Sequence, residues 1–348
     1  MRVTIKEVAK AADVSVSTVS KVINGHYSIS EETAQRVRQV MEQLNYYPSA
    51  SAQNFAKGAT RAVAVLTDLS SDIAFRNPHI FEIIAGLEEV LEKKGYHLIL
   101  KGVDESSAYE VARDLISRRS VDGLAVHVSM MTHPLAGLLT KIHFPHIVLG
   151  APTFQSQLCW IDNNNVYSGC VAGQYLLSAG YRRIAFLGGQ YYDLGSVARL
   201  QGVQQALEDG GFPMEEQYIR QGDSTREDGY HMTQKLLREK KCPDAIVCAN
   251  NTLALGCVHA LRDAKLQIPT DIGVMAFDDY PFSQLVDPPL TVVDINVRDM
   301  GRQASKFLLE NMKHPNMQVQ TYVTTSNLIE RESTIRTSLK DRNRNTDL

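Results

Sequence analysis

The sequence lacks long apolar runs. No stretch approaches the roughly 18 consecutive apolar residues that a membrane-spanning helix needs. The N-terminal segment MRVTIKEVAKAADVS interrupts its apolar positions with charges at every third or fourth place. That spacing is typical of an amphipathic helix and not of a secretion signal. We therefore expect a cytoplasmic protein that has no membrane partner.

Cysteine is scarce and scattered. None of the five cysteines forms a C-x-x-C pair, and most of them lie in apolar runs. An odd number of dispersed thiols fits buried, reduced side chains. We therefore expect neither a disulfide framework nor a metal site. The cysteines are Cys159, Cys170, Cys242, Cys248 and Cys257.

Signatures of common enzyme classes are missing as well. No G-x-S-x-G elbow, P-loop or G-x-G-x-x-G dinucleotide motif follows a predicted strand. The nearest pattern, Gly188-Gly189, is typical of an ordinary strand-to-helix turn. No catalytic residue and no cofactor are predicted.

Charge is modest but unevenly distributed. The whole chain carries −3. Residues 1–60 contain seven Lys or Arg and five Asp or Glu, a balance of +2 that leaves −5 for the rest. A mildly basic N-terminal segment on an acidic body is compatible with nucleic-acid binding.

The first 45 residues have the periodicity of three short helices. Thr4 and Glu7 have the spacing of a capping box, and Ser15 and Ser30 are placed to cap the second and third helices. Asn24-Gly25 ends the second helix. The buried stripe of the third helix is predicted to be Val37, Val40, Met41 and Leu44.

The outer face of the second predicted helix carries short and mostly uncharged side chains. Val19, Val22 and Ile23 point inward. A recognition helix presents such side chains to a major groove: hydroxyl groups, an apolar side chain with methyl groups, and one cation. The alternative is an ordinary solvated helix face, although such faces more often carry several Glu and Lys. The outer residues are Val16, Ser17, Thr18, Ser20, Lys21 and Asn24.

From Arg61 onward, apolar runs alternate with amphipathic helical stretches. This alternation predicts parallel sheets built from right-handed βαβ units. The pattern restarts near residue 162, which favours two similar α/β lobes facing a cleft. The predicted strands are 62–67, 97–102, 123–128, 146–150, 183–188, 245–250 and 273–278.

Motifs along the whole chain resemble the lac repressor/gal repressor (LacI–GalR) family of bacterial regulators. The similarity begins at Val3–Ala9 and Val14–Asn24. Later matches follow in the order of the family: Glu42–Pro48, Asn77-Pro78, Asp122-Gly123, Asp162-Asn163, Arg199–Gly202, Ala249-Asn250, Phe277–Asp279, Pro289–Thr291, Met300-Gly301 and Glu330–Thr334. The resemblance implies a ligand-responsive transcription regulator, a repressor of a sugar or related metabolite operon. It would bind a pseudo-palindromic operator as a homodimer.

The implied fold is a three-helix helix-turn-helix head, a hinge helix, and a core of two doubly wound parallel-sheet lobes, as in periplasmic binding proteins. The expected DNA-binding domain is 1–47, the hinge 48–60, the effector-binding and dimerisation core 61–339, and the disordered tail 340–348. Lobe one is expected at about 61–160 and 294–320, and lobe two at about 161–293 and 321–339. The tail after Ser333 lacks leucine heptads, so no coiled-coil tetramer is expected.

The resemblance also implies the DNA contacts. Phosphates would be held by Thr4, Ser15, Ser20, Asn24 and Ser30, and bases read mainly by Val16, Ser17 and Lys21, with Thr18 on the same face. Phe55 stands where the family usually has a leucine that enters the minor groove, and phenylalanine is another known wedge. The alternative for Phe55 is an aromatic packed against the core.

An effector cleft between the lobes is implied in the same way. Its residues would be Phe75, Asn77, Phe81 and His127 on lobe one, and Trp160, Arg199, Asn250 and Asp278 on lobe two. An arginine fork and a carboxylate can each bind neighbouring hydroxyls while aromatics stack on a sugar ring. The predicted effector is therefore a sugar or sugar derivative.

Each of these residues has a structural alternative. Arg199 could be a surface helix residue, Trp160 could belong to the core, and His127 could be a satisfied core histidine. Asp279 is predicted to be structural, beside a ligand-facing Asp278. The chain departs from its family at Gly150, Ser224, Asn251 and Ile295, so no ligand identity carries over.

The sequence argues against two other functions. A sugar-binding protein without a regulatory role would need a signal peptide and would leave the first 60 residues unexplained. An enzyme on a doubly wound scaffold would need one of the missing catalytic motifs.

Overall fold

The computed structural model describes residues 3–24, 26–47, 59–69 and 78–336. Some predictions lie outside the described residues. They are most of the predicted hinge 48–60 (residues 48–58, which include the wedge Phe55), the cleft residues Phe75 and Asn77, and the tail 340–348.

The head consists of three helices, as predicted: α1 Ile5–Ala11, α2 Val16–Ile23 and α3 Glu31–Gln43. Val8, Val19 and Val37, one from each helix, are fully buried and form the centre of the head. The predicted stripe on α3 packs against this cluster, although Val40, Met41 and Leu44 are only half-buried.

Side chains cap all three helices. The Glu7 carboxylate accepts hydrogen bonds from the Thr4 N–H at 2.7 Å and the Thr4 hydroxyl at 3.0 Å. Ser15 Oγ accepts from the Thr18 N–H at 3.1 Å, and Ser30 Oγ accepts from the Thr33 N–H at 3.3 Å. The three predicted caps are confirmed. A cap of this kind stabilises a helix by about 1 kcal/mol, which matters for helices this short.

The core alternates strands and helices. The first half contains β1 Ala62–Thr67, α4 Pro78–Lys93, β2 His97–Gly102, α5 Ala108–Ser117, β3 Gly123–His127, α6 His133–Lys141, β4 His146–Leu149 and β5 Trp160–Asn163. The second half contains α7 Asn165–Ser178, β6 Ile184–Gly189, α8 Leu194–Asp209, β7 Ile219–Gly222, α9 Arg226–Leu236, β8 Ala245–Cys248, α10 Asn251–Asp263, β9 Gly273–Phe277, α11 Pro281–Leu285 and β10 Thr291–Asp294. The chain ends with α12 Val297–Lys313, β11 Thr321–Thr324 and β12 Asn327–Ile329. Short 3₁₀ turns lie at Val128–Met130 and Glu216–Tyr218.

The strands form two six-stranded sheets. Lobe one has the order β11-β5-β4-β3-β1-β2, and all of its strands are parallel. Lobe two has the order β12-β10-β9-β8-β6-β7, in which only β12 runs antiparallel. Within the described part of the chain, no helix is long and apolar enough to cross a membrane.

Helices cover both faces of each sheet. On β1, Ala62, Ala64 and Leu66 face a cluster that includes residues of α5 and α6. Val63 and Val65 face the opposite cluster, to which α4 and α12 contribute. Burial on both faces explains why β1 reads AVAVLT, a continuous apolar run. The predicted doubly wound architecture is confirmed.

The chain passes between the lobes three times. The crossings follow β5, β10 and β11. Both β5 and β11 belong to the first sheet, so two of the crossings lie a few residues after the predicted boundaries of about 160 and 320. As a consequence, Trp160 lies on lobe one. Its prediction as a lobe-two residue is wrong, because β5 pairs with β4 before the chain crosses.

Candidate functional sites

The outer face of α2 is open to solvent. Val16 is 42% exposed, and Ser17, Lys21 and Asn24 are also exposed. Thr18 and Ser20 are half-buried. Among the described residues Lys21 has no carboxylate partner, so its charge is available to another molecule.

Hydroxyl groups gather at the N-terminal end of α2. Ser15 Oγ lies 2.7 Å from Ser17 Oγ and 2.9 Å from Thr18 Oγ1. At the other end of the helix, Asn24 Nδ2 donates to the Ser20 carbonyl at 2.8 Å. Thr4 and Ser30, the caps of α1 and α3, are exposed. Because a helix N-terminus attracts anions and hydroxyl groups can donate to phosphate oxygens, this end of α2 has the chemistry of a phosphate contact.

Arg199 is the best-anchored residue of the predicted effector cleft. It lies on α8 and is 7% exposed, which contradicts the alternative of a surface helix residue. Its Nε donates to Asn165 Oδ1 at 3.0 Å, its Nη1 donates to the Ala249 carbonyl at 2.5 Å, and its guanidinium stacks on the Phe277 ring at 4.5 Å.

Close helix packing fixes the position of Arg199. A Cβ on Gly169 of α7 would collide with the carbonyl of Arg199 itself. A Cβ on Gly202, one turn further along α8, would collide with the Val166 carbonyl on α7. The two helices therefore touch backbone to backbone beside the arginine. This contact gives the Arg199–Gly202 motif a structural reason.

Asp278 lies directly opposite Arg199, at the end of β9. It is 4% exposed, and its Oδ1 is 3.6 Å from Arg199 Nη2. This Oδ1 has no hydrogen-bond partner among the described residues. Burial raises the pKa of the Asp278 carboxyl, and the nearby Arg199 charge opposes part of that rise. Asp278 Oδ1 is therefore a buried hydrogen-bond acceptor, and it faces an arginine whose guanidinium can donate further hydrogen bonds.

Asn251 holds the Asp278 backbone in place. Asp278 has a φ of +69°, a left-handed conformation that is strained for a residue other than glycine. Asn251 Nδ2 donates to the carbonyls of Phe277 at 2.6 Å and Asp278 at 2.7 Å, and Ser283 Oγ donates to Asn251 Oδ1 at 2.6 Å. Asn251, at which the chain departs from its family, is therefore a buried residue with a structural role.

Two histidines of lobe one approach this group. Burial, together with the Arg199 charge on the other lobe, lowers the pKa of His79 to about 4. Burial likewise lowers the pKa of His127 to about 4, with His79 as the second cause. His79 Nδ1 lies 3.4 Å from the Tyr280 hydroxyl of lobe two, and His127 Nδ1 lies 2.6 Å from Ser129 Oγ. Both rings are therefore neutral near pH 7.

Sequence reasoning missed His79 and Tyr280. The available signal was their position, because His79 follows the Asn77-Pro78 motif and Tyr280 follows the Phe277–Asp279 motif. A third group was also missed. Burial raises the pKa of the Asp162 carboxyl, which accepts a hydrogen bond from the Ala151 N–H at 3.0 Å.

The remaining predicted cleft residues have structural contacts. Asn250 Oδ1 accepts from the Leu253 N–H at 2.9 Å and caps α10. Phe81 and Trp160 are half-buried against the two apolar clusters of lobe one. Asp279 accepts from Arg331 Nη2 at 2.8 Å, which confirms its predicted structural role.

The other departures from the family are explained locally. Gly150 has a φ of +106° and no room for a Cβ beside Val128. Ile295 is buried in the lobe-one core, and Ser224 Oγ lies 3.4 Å from Asp193. Across residues 3–24, 26–47, 59–69 and 78–336, no group of three His, Cys, Asp or Glu could hold a metal ion.

Two surface cavities lie away from this group. One, of about 250 Å³, lies on lobe two beside Arg262 and Pro288. The other, of about 340 Å³, lies on lobe one beside His146 and Asn311. Neither is lined by Arg199 or Asp278.

Two family models match the chain. The model described as "Bacterial regulatory proteins, lacI family" matches residues 4–49, and the model described as "Periplasmic binding protein-like domain" matches residues 174–334. The first match covers the three-helix head. The second covers most of lobe two, together with α12 and β11 of lobe one.

Relatives match over nearly the whole chain. The HTH-type transcriptional repressor PurR of Histophilus somni (strain 2336) is 31% identical over 311 residues, which are 89% of this chain and 92% of that protein. PurR of Vibrio atlanticus (strain LGP32) is 31% identical over 338 residues, or 96% of this chain and 99% of that protein.

Solved structures match in the same way. The transcriptional regulator CelR in complex with cellobiose has a TM-score of 0.71 at 27% identity, covering 95% of this chain and all of that one. A lac repressor dimer bound to operator and the anti-inducer ONPF has a TM-score of 0.85 at 23% identity, covering 97% and 100%.

Proposed function

Because the chain belongs to the lacI family of bacterial regulatory proteins, we propose that it is a repressor that binds a pseudo-palindromic operator as a homodimer and responds to a neutral, hydroxyl-rich effector. The family membership makes it a DNA-binding transcription regulator and not an enzyme. The dimer, the operator symmetry and the effector class are the proposed part.

The head supplies the DNA contacts in this proposal. Lys21, Ser17 and Val16 on the open face of α2 read bases, and the exposed caps Thr4 and Ser30 contact phosphates. The hydroxyl cluster at Ser15 and the residues Thr18, Ser20 and Asn24 set the register of the helix on the backbone. One head of this size covers a half-site, so two heads related by a twofold axis require a pseudo-palindrome.

The buried Asp278 oxygen carries the proposal for the effector. An acceptor that is buried without a donor is costly, and a ligand hydroxyl would satisfy it. Arg199 can donate to the same hydroxyl or to its neighbour. His79 and His127, held neutral, can each donate or accept.

The charges of the site favour a neutral effector over an anion. The Asp278 and Asp162 carboxyls face a single arginine, and both histidines are uncharged near pH 7. An anionic effector would face the two carboxyl groups, which accept hydrogen bonds, and only one cation, Arg199, which already makes hydrogen bonds within the protein. A sugar fits the donor and acceptor pattern, and the structural relative CelR is in complex with cellobiose. Phe75, Asn77, Phe81, Trp160 and Asn250 stay in the proposed site as the surfaces around the ligand.

The proposal is tested in two steps. Operator duplexes are first selected from a random pool with wild-type protein and with Lys21→Ala. We expect wild type to enrich a sequence with twofold symmetry, and Lys21→Ala to lose about 1–3 kcal/mol of discrimination against other sequences. Enrichment of an asymmetric half-site, or of no sequence, would contradict the operator proposal.

Neutral sugars, sugar phosphates and nucleobases are then screened by thermal shift and by operator release. A ligand at 100 times its Kd stabilises the protein by about 2.7 kcal/mol, which a melting curve resolves. A response to neutral sugars alone supports the effector class. A response confined to sugar phosphates or to nucleobases contradicts it.

A further inference from the structure

The two lobes share an architecture but differ in charge at one edge. In a parallel sheet all strands begin at the same edge, so the segments that lead into them line one surface. We call this surface of lobe one the strand-entry edge. It comprises residues 59–61, 93–96, 117–122, 141–145, 157–159 and 313–320. These segments contain seven Lys or Arg and one acid, Asp122. The exposed cations are Arg61, Lys93, Lys94, Arg118, Arg119, Lys141 and Lys313.

Lobe two provides an internal comparison. The segments that lead into its parallel strands are 178–183, 209–218, 236–244, 263–272 and 285–290. They contain six Lys or Arg and eight Asp or Glu. Cations are generally favoured near helix C-termini, yet the same helix ends in lobe two show no excess. The positive edge of lobe one therefore needs another explanation, the more so because the chain after residue 60 carries −5.

Three of the positive residues, Arg61, Lys94 and Lys313, lie near one another. Arg61 Nη1 donates to the Lys94 carbonyl at 3.3 Å. The pKa of Glu310 is lowered chiefly by its hydrogen bond to Lys313, and His314 and Lys94 lower it further. Lys94 and Lys313 thus act on one carboxylate, although they come from helices far apart in the sequence.

Several of these cations are uncommitted. Arg118 pairs with Asp114 at 2.6 Å, and Lys313 pairs with Glu310 at 2.5 Å. Within the described ranges, Lys93, Lys94, Arg119 and Lys141 form no salt bridge, and Lys94 acts on Glu310 only through its charge. The one acid of the edge is occupied elsewhere. Asp122 accepts from the backbone N–H groups of Thr60 and Arg61, both at 2.8 Å.

The strand-entry edge is also where the chain arrives from the head. The bonds from Asp122 fix Thr60 and Arg61 at the start of β1, beside Lys94 and Tyr96. Only residues 48–58 separate the described head from the described core. A chain of that length spans at most about 40 Å. The head, and any DNA that it holds, is therefore tethered within about 40 Å of this side of lobe one.

We propose that the strand-entry edge of lobe one is a second DNA-contacting surface, at which Lys93, Lys94 and Arg119 neutralise backbone phosphates of the duplex held by the head. The inference rests on the proposed function, since it needs the head to bind DNA. Phosphate contacts carry no sequence information, so this surface adds affinity and salt dependence and leaves sequence discrimination to α2.

The test compares two triple variants with the same change in charge. K93Q/K94Q/R119Q alters the strand-entry edge, and R238Q/K240Q/K241Q alters exposed cations at the equivalent edge of lobe two. Affinity for the selected operator and for a random duplex of equal length is measured over a series of salt concentrations. Thermal melting of each variant checks that it remains folded.

For K93Q/K94Q/R119Q we expect the slope of log K against log salt to become shallower by about 0.9 for each lost contact, or up to about 2.7. The loss of affinity should be the same for the operator and for the random duplex. The lobe-two variant should keep the wild-type slope. An unchanged slope in K93Q/K94Q/R119Q overturns the inference, and so does an equal change in both variants, which would indicate net charge alone.

The remaining outcomes are also decisive. If K93Q/K94Q/R119Q retains its DNA slope but loses binding to an acidic protein, the surface serves a protein partner and the inference is wrong. If the wild type binds no duplex, the proposed function itself fails and the inference falls with it. Because the variant is compared with a wild type that binds, the two failures are distinguishable.

Discussion

At the residue scale, the proposed effector site depends on one carboxylate that is buried and not fully hydrogen-bonded. Asp278 is buried, its backbone has a positive φ, and one of its oxygens has no donor among the described residues. Asn251 and Ser283 support this arrangement through three hydrogen bonds of 2.6–2.7 Å. Strain that surrounding residues maintain in this way is characteristic of functional positions.

Asp278→Asn tests this role. The substitution keeps the shape of the side chain and removes its charge, so we expect a folded protein that binds operator. A hydrogen bond to a charged group is worth about 1.5–3 kcal/mol. Effector affinity should therefore fall roughly 10- to 150-fold, measured by titration. Asp279→Asn is the matched control, because Asp279 pairs with Arg331. It should lose stability and keep effector affinity, and the reverse pattern would show that the site is misplaced.

His79 predicts a pH dependence of stability. Its pKa is lowered from 6.5 to about 4 in the folded state. The unfolded chain therefore takes up a proton first as the pH falls below about 6.5. The stabilisation is complete above that pH and declines until the pH reaches about 4. Between pH 7 and pH 5 the expected loss is about 2 kcal/mol.

Urea unfolding at the two pH values measures this loss. His79→Gln should flatten the pH dependence by about 2 kcal/mol relative to wild type. The same substitution at His97, which is exposed on β2, serves as the control for losing a histidine. Equal pH dependence in wild type and His79→Gln would mean that His79 is not held neutral by the fold.

At the element scale, the sequence predicted what local physics determines. The caps Ser15 and Ser30 and the continuous apolar strand β1 were all recognised, because each depends on neighbours in the sequence. Five strands were not predicted, and each has only three or four residues. Three of them, β7, β11 and β12, are outermost strands and carry no apolar run; the residues of β11 and β12 are largely exposed, and those of β7 are mostly half-buried.

The same distinction separates the parts of the candidate site. Arg199 and Asp278 were predicted because family motifs mark them. His79 and Tyr280 were missed because they meet only when the lobes face each other across 201 residues of sequence. The lobe assignment of Trp160 failed for a related reason, since strand pairing and not periodicity decides where the chain crosses.

The contact between α7 and α8 yields a prediction about an element. In Gly202→Ala the new methyl would collide with the Val166 carbonyl, so α8 must shift. Overpacking of this kind typically costs about 1–3 kcal/mol. Because Arg199 lies on the same helix, effector affinity should fall as well, which denaturation and titration measure separately.

Gly137→Ala is the matched control for that change. Gly137 lies within α6, and nothing is within 4 Å of the position a Cβ would take. Removing a glycine from a helix interior stabilises it by about 0.5–1 kcal/mol. Gly137→Ala should therefore gain stability and retain effector binding. Similar effects at both positions would argue against a specific contact between α7 and α8.

At the scale of the whole molecule, the groups of the proposed effector site come from both lobes. His79 and His127 come from lobe one, and Arg199, Asp278 and Tyr280 come from lobe two. The strand-entry edge, where the head joins, is at the opposite end of the lobe-one strands. A change in the angle between the lobes can thus reach the head only through lobe one and its linker.

This arrangement predicts reciprocal coupling. An effector alters operator affinity only through its different affinities for two lobe arrangements, and linkage then requires the operator to alter effector affinity by the same factor. We expect that factor to be about 5- to 150-fold, in either direction. It is measured twice on the dimer, by operator titration with and without saturating effector and by effector titration with and without saturating operator. Asp278→Asn should bring both factors close to one, because the contacts that distinguish the two arrangements are lost.

Two unequal factors in the wild type would show that the effector acts outside this equilibrium, for example by competing at the head. Sedimentation under the same conditions must show a dimer, since a monomer that binds operator with full affinity would remove the partner that the proposed twofold operator needs.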